Sequence, residues 1–128
     1  MDVVCRSIKA WNENDWAAME ERVDPAITVK APEGWPESGE FSGWPAVRTQ
    51  YERLKAAWSD ERVEIVDIRS IDEARLLVQL RWIGHGGSSG LAFDSMSWNV
   101  YELRDGRITR IEFYFEPEPA LRAAGLEN

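Results

Sequence analysis

The chain has one cysteine and one histidine among its 128 residues, and this scarcity removes whole classes of chemistry. Cys5 has no partner for an intramolecular disulfide, so nothing points to an oxidising compartment. Cys5 and His85 together cannot build a His/Cys zinc site. No Asp-x-Asp-x-Asp spacing offers an all-carboxylate alternative, so neither a metal nor another cofactor is expected. Basic residues are also short: 15 Lys and Arg stand against 23 Asp and Glu, a net charge of −8. Phosphate binding needs clustered cations, so nucleic acid is not an expected partner, and the acidity reads as a contribution to solubility. Long apolar runs are missing too. None approaches the roughly 20 residues of a membrane-spanning helix, and Met1-Asp2-Val3-Val4-Cys5-Arg6 lacks the basic head and apolar stretch of a signal peptide. A cytoplasmic location with no membrane partner is the expectation.

What is present is a hydrophobic fraction of 44%, a charged fraction of 30% and seven tryptophans. A chain of this size buries enough surface for a core without staples, and one domain over 1–128 is expected. Val4, Ile8 and Trp11 recur at helical spacing and predict a first helix over 2–12. Asn12-Glu13-Asn14-Asp15 breaks it, and Asn14 or Asp15 can cap a second helix carrying Trp16, Met19 and Val23 inward until Asp24-Pro25. Ala26 to Ala31 is a short strand candidate. Pro32 to Gly43 reads as a long loop, of the kind that often forms a binding lid. Val47, Tyr51, Leu54 and Trp58 then mark an amphipathic helix over 44–59, with Pro45 in its first turn.

Beyond this the apolar period becomes two. Strands are predicted over 61–72, 75–85, 91–104 and 107–116, with Gly84 to Gly90 a flexible hairpin loop holding His85. Asp105-Gly106 is the pair typical of a type I′ hairpin turn. Pro117 and Pro119 end the last strand, and Ala120 to Leu126 can form a terminal helical turn or two. Helices followed by an antiparallel sheet define the α+β class. Three helices on one face of a strongly bent sheet leave space at the open end of a cone, a usual place for a ligand.

The order and spacing of several segments resemble the SnoaL-like branch of the nuclear transport factor 2 superfamily, whose fold is cone-shaped α+β. These segments are Ala10-Trp11-Asn12-Glu13-Asn14-Asp15-Trp16, Asp24-Pro25, Gly43, Leu103-Arg104-Asp105-Gly106-Arg107-Ile108 and the tail Ala120-Leu121-Arg122-Ala123-Ala124-Gly125-Leu126. The resemblance covers nearly the whole chain. It implies a fold shared by ketosteroid isomerases, polyketide cyclases, dehydratases, epoxide hydrolases and pocket proteins with no assigned reaction, so the fold does not choose the function. Ketosteroid isomerases place a tyrosine in the first helix, an aspartate base at the end of the first strand and a protonated aspartate on the penultimate strand. The corresponding positions here are Ser7, Ala31 and Asn99, so that base is absent. Epoxide hydrolases of this fold use an Arg-x-Asp spacing that Arg69, Arg75 and Arg81 do not provide, and the dehydratase pattern needs more than one histidine. A polyketide cyclase needs an aspartate base. Asp94 is the nearest strand acid, on the face opposite Asn99 and Tyr101.

The expected pocket lining is Trp35, Trp44, Tyr51, Trp58, Trp82, Asn99, Tyr101, Phe113 and Phe115. Flat aromatic walls suit a planar or hydrophobic ligand, although rings such as Trp11, Trp16 and Trp58 also serve simply to fill a core. Asn99, beside Ser97 and Tyr101, could donate to a carbonyl or a developing oxyanion. The catalytic candidates are His85, Asn99 and Asp94. Glu33, Glu37 and Glu40 read as a solvated loop, and Ser7 and Cys5 have no recognisable base at a fixed offset. Met96, Trp98 and Val100 form an apolar stripe on the outer sheet face, which predicts a homodimer through that face. Two functions follow: a module binding a small hydrophobic or aromatic molecule, or a cofactor-independent enzyme of isomerase, polyketide cyclase or hydrolase type working by proton transfer. An ionisable side chain facing the cavity is what separates them.

Overall fold

Helix α1 (Asp2–Asn12) forms where the apolar spacing requires it, burying Val4, Ser7, Ala10 and Trp11 along one face. A computed structural model supplies this and all following geometry, for residues 2–31, 39–86 and 91–126. Helix α2 (Trp16–Arg22) begins at an Asp15 cap, whose carboxylate accepts the Ala18 N–H at 3.1 Å. That bond satisfies one of the orphan amides of the first turn. The chain then passes directly into β1 (Val23–Ala31), three residues earlier than expected. Pro25 is tolerated because pairing with the neighbouring strand is interrupted between Val23 and Thr28, where its missing N–H removes no ladder bond.

The segment read as one long loop contains a strand, β2 (Gly39–Ser42), paired antiparallel with β1 from Thr28↔Ser42 to Ala31↔Gly39. Phe41 is the only apolar side chain in it, so no alternation marked it in the sequence. Its register is set by β1 alone. Helix α3 (Trp44–Ala56) follows with Pro45 in the first turn, as expected.

Trp58 does not belong to α3. It opens β3 (Trp58–Ser70) and pairs with Gly86. Its spacing from Leu54 fits a helix, and only cross-strand pairing decides against it. Strand β4 (Arg75–Gly86) likewise extends through His85, which pairs with Ser59 and Ala92, so the histidine lies on a strand and not in a loop. Strands β5 (Ala92–Arg104) and β6 (Arg107–Tyr114) complete the sheet. The hairpin joining them has positive φ at Asp105 (52°) and Gly106 (76°), as a type I′ turn demands. The strand order is β2-β1-β6-β5-β4-β3, with β1 and β6 parallel and the other pairs antiparallel.

Helices α1, α2 and α3 cover one face of this curved sheet. Leu76, Val78, Leu80 and Trp82 of β4 point into that layer, joined by Tyr101 of β5 and Ile111 and Phe113 of β6. A fourth helix, α4 (Pro117–Ala124), lies on the opposite face. There Ala120 and Ala124 pack with Leu77 and Val100, and Trp98 and Tyr114 lean against them. Val100, expected on a free apolar stripe, is therefore only 3% exposed, covered by the chain's own C-terminal helix. Met96 and Trp98 remain half-buried on that face. Among the described residues no helix is long and apolar enough to cross a membrane.

Candidate functional site

The space between helices and sheet is walled by Ser7, Ile8 and Trp11 of α1, Met19 of α2, and Tyr51 and Leu54 of α3. The sheet contributes Val23, Val63, Leu80, Trp82, Tyr101, Ile108, Ile111 and Phe113. Alternation along each strand and the three- and four-residue steps of each helix aim these side chains at one another. The rings meet edge to face: Trp11 lies 5.1 Å from Tyr51 and 5.9 Å from Trp82 between centroids. They nearly fill the cone. The remaining cavity is about 30 Å³, room for roughly one or two waters and well below the roughly 300 Å³ of a usual small-molecule site.

Its polar groups are few. The Ser7 hydroxyl is turned back to the Val4 carbonyl at 2.8 Å. The Tyr51 and Tyr101 phenols are buried, and burial pushes both well above the ordinary tyrosine range, Tyr51 further still because Tyr101 is close. Both therefore remain O–H donors at any physiological pH. Among the described residues that line the cavity there is no carboxylate, imidazole or ammonium group.

The other expected residues fall into four groups. Asn99 is completely buried on the inner face, between Val78 and Phe113 in register. Its amide N–H donates to the Val78 carbonyl at 3.0 Å, and among the described residues its Oδ1 has no hydrogen-bond partner. The open atom is thus an acceptor, whereas the sequence suggested a donor. Trp58 stands beside the cavity, packed on Trp82 at 5.9 Å and Phe93 at 5.4 Å. Trp44 borders a separate surface cleft with Glu20, Glu21 and Arg107, and Phe115 lies past the end of β6, 40% exposed. Trp35, Glu33 and Glu37 lie outside the described residues.

Asp94 is on the outer face, as its parity implied. Arg81 grips its carboxylate through two nitrogens, and this hydrogen bonding, more than charge alone, holds it below the usual carboxylate range. An exposed, paired, ionised aspartate on the wrong face is no base for the cavity. His85 shares the parity of Arg81 and Ile83, and its Nδ1 is buried without a partner among the described residues. Glu40, from β2, pairs with Arg110 at 2.7 Å.

One cluster was missed from sequence. Glu61 and Lys55 form an ion pair at 3.0 Å, with side chains only 5% and 13% exposed. Glu61 also accepts the Trp11 indole N–H. Lys55 donates to the Trp11 carbonyl at 2.7 Å and sits 4.2 Å from the Trp11 ring centroid. The adjacent Asn12 side chain bonds both the N–H and the C=O of Val63, each at 2.8 Å. The signal available was Glu61 itself, an acid two and four residues before the inward Val63 and Ile65.

The sequence model of the SnoaL-like domain matches residues 4–111. No curated protein sequence matches the chain. Solved structures are similar over nearly the full length. TerC, co-crystallized with polyporic acid, is 15% identical with a TM-score of 0.80, over 97% of this chain and 96% of its own. An NTF2-like protein of unknown function from Burkholderia pseudomallei is 17% identical with a TM-score of 0.81, over 95% and 94%. A protein from Sinorhizobium meliloti, proposed to be a polyketide cyclase, is 24% identical with a TM-score of 0.73, over 89% and 94%. At these identities the likeness concerns the fold.

Proposed function

Because the chain belongs to the SnoaL-like domain family, we propose that it binds a small, largely apolar aromatic molecule inside the cone. The observation that carries this reading is the lining: aromatic and aliphatic walls, two permanently protonated phenols, and no charged group among the described residues. Such a site rewards a flat apolar body with one or two oxygen atoms that accept from Tyr51 and Tyr101. TerC, which shares this fold, was co-crystallized with polyporic acid, in keeping with small-molecule binding. The small free volume means that a ligand must displace rings as it enters. Binding should therefore perturb tryptophan emission strongly.

The test is a titration of tryptophan fluorescence and thermal stability against naphthols and acetylnaphthalenes, with aliphatic alcohols of equal size as controls. Saturable quenching with a rise in Tm for the aromatic set supports the reading. A flat response throughout would remove it. A second reading, proton transfer without a cofactor, rests on the same two phenols, which could stabilise an enolate oxygen. It needs a base that the described lining does not supply, and turnover of a ketone or polyketide-like substrate that disappears in Tyr101→Phe would establish it.

The homodimer through the outer sheet face is also part of this proposal, now centred on Met96 and Trp98, since α4 covers Val100. Sedimentation showing only monomer at micromolar concentration would reject it.

A further inference from the structure

A polar cleft is lined by Asn12, Asn14, Lys55, Trp58, Asp60 and Glu61, two of which, Lys55 and Glu61, contact Trp11. Its volume is about 250 Å³, against about 30 Å³ for the closed interior. The Trp11 ring lines the cavity, and Lys55 and Glu61, which line the cleft, hold that residue by its indole N–H, its carbonyl and its ring face. Trp58 borders the cleft and touches Trp82, which lines the cavity. Trp11, through Lys55 and Glu61, and Trp58, through Trp82, therefore link the polar cleft to the nearly closed apolar chamber.

We propose that this cleft is the entrance to the cavity, and that Glu61 and Lys55 are positioning residues that hold Trp11 shut across it. This rests on the pocket reading above. Glu61 consumes the only polar atom of the indole, so the wall turned to the ligand is carbon. Lys55 fixes the same residue by its carbonyl and ring face. Neither charge can follow Trp11 into the chamber, because each is the other's partner in a poorly solvated place. Opening therefore exchanges these contacts for water at the cleft and leaves the Asn12–Val63 bonds as the hinge that retains α1. Among the described residues the ionisable groups of the cleft are Asp60, Glu61 and Lys55, two acids and one base by sequence. The entrance thus favours a neutral aromatic such as a phenol over an aromatic carboxylate.

The test has one arm that needs no ligand. Hydrogen exchange of the tryptophan indole N–H groups is followed by NMR in wild type, Glu61→Ala and Glu61→Gln, with Trp82, bonded to Ser97 at 2.8 Å, as internal reference. In Glu61→Ala the Trp11 indole should exchange at least tenfold faster while Trp82 is unchanged, and Glu61→Gln, which keeps an acceptor, should restore most of the protection. An unchanged Trp11, or equal acceleration of both indoles, would assign Glu61 to general stability and overturn the positioning role. Lys55→Met provides the same reading if Glu61→Ala does not fold.

The second arm measures association of 1-naphthol and 1-naphthoate by stopped-flow fluorescence. Wild type should admit 1-naphthol at least tenfold faster than 1-naphthoate. Glu61→Ala should raise the 1-naphthol rate about tenfold, with Kd changed less than threefold. Equal association rates in wild type and variant would overturn the entrance. Absence of 1-naphthol binding in both proteins would overturn the pocket reading and the entrance together, while the exchange arm still decides the role of Glu61.

Discussion

Tyr51, Trp82 and Phe113 share a property that no single one of them reveals: each follows an apolar neighbour at the period of its own element, whereas Tyr101 follows Asn99. Tyr51 sits four residues after Val47, and Trp82 two after Leu80. Their inward direction was therefore legible. Their titration was not, because it depends on how completely the phenols are enclosed. All three tyrosines of the chain are raised: Tyr51 and Tyr101 by burial, and Tyr114 to about 12 by burial and then Glu112. In the unfolded chain each would titrate near about 10. The folded state thus holds more protons than the unfolded state above that pH, so the stability these groups contribute is complete below about pH 10 and is lost as pH rises towards the folded values. Absorbance at 295 nm should show almost no tyrosinate at pH 10.5 in native protein, and alkaline unfolding should coincide with its appearance. A normal tyrosine titration in folded protein would contradict the buried pair. Tyr101→Phe should weaken an oxygen-bearing ligand by roughly three- to tenfold, the worth of one hydrogen bond, and leave a hydrocarbon of equal shape unaffected by calorimetry.

At the scale of elements, the local rules succeeded where one short segment decides the outcome and failed where two distant ones do. The Asp15 cap and the Asp105-Gly106 turn are local, and both formed as expected. Asp15→Ala should cost about 1 kcal/mol in denaturant unfolding. Strand β2 was invisible because four residues with one aromatic carry no period, and the backbone of β1 supplies the pairing. Trp58 was misplaced because a helix and a strand can both present residue 58 inward. The terminal helix was expected, but its place on the outer face was not. Ala120 is fully buried against the outer-face cluster of Leu77 and Val100. Ala120→Asp would put an unpaired charge there, a change expected to cost roughly 3 kcal/mol. Loosening α4 re-exposes Leu77 and Val100, so sedimentation of this variant should show concentration-dependent association beyond that of wild type.

For the whole molecule, the central fact is a cone whose rings nearly close it. Removing a fully buried cavity-lining side chain should exchange stability for room. Leu54→Ala is expected to destabilise by about 3 kcal/mol and to bind 1-naphthol more tightly than wild type. At one ligand concentration, set to one hundred times the variant's Kd, binding returns about 2.7 kcal/mol to the variant and less to the weaker-binding wild type, so the Tm of the variant should rise more. An equal rise in both would mean that the compound binds elsewhere.

Composition and periodicity alone determined the α+β class and the inward apolar face of β4; that Ala31 stands where an aspartate base was implied came from the family resemblance. The first two are properties of neighbours along the chain, set by the geometry of helix and strand. Only the tertiary structure decided that the chamber is nearly filled, that α4 takes part of the outer face, and that Trp11 is held by an acid fifty residues away. Volume left between elements, and the pairing of charges that meet only after folding, depend on distances across the chain that no local period encodes.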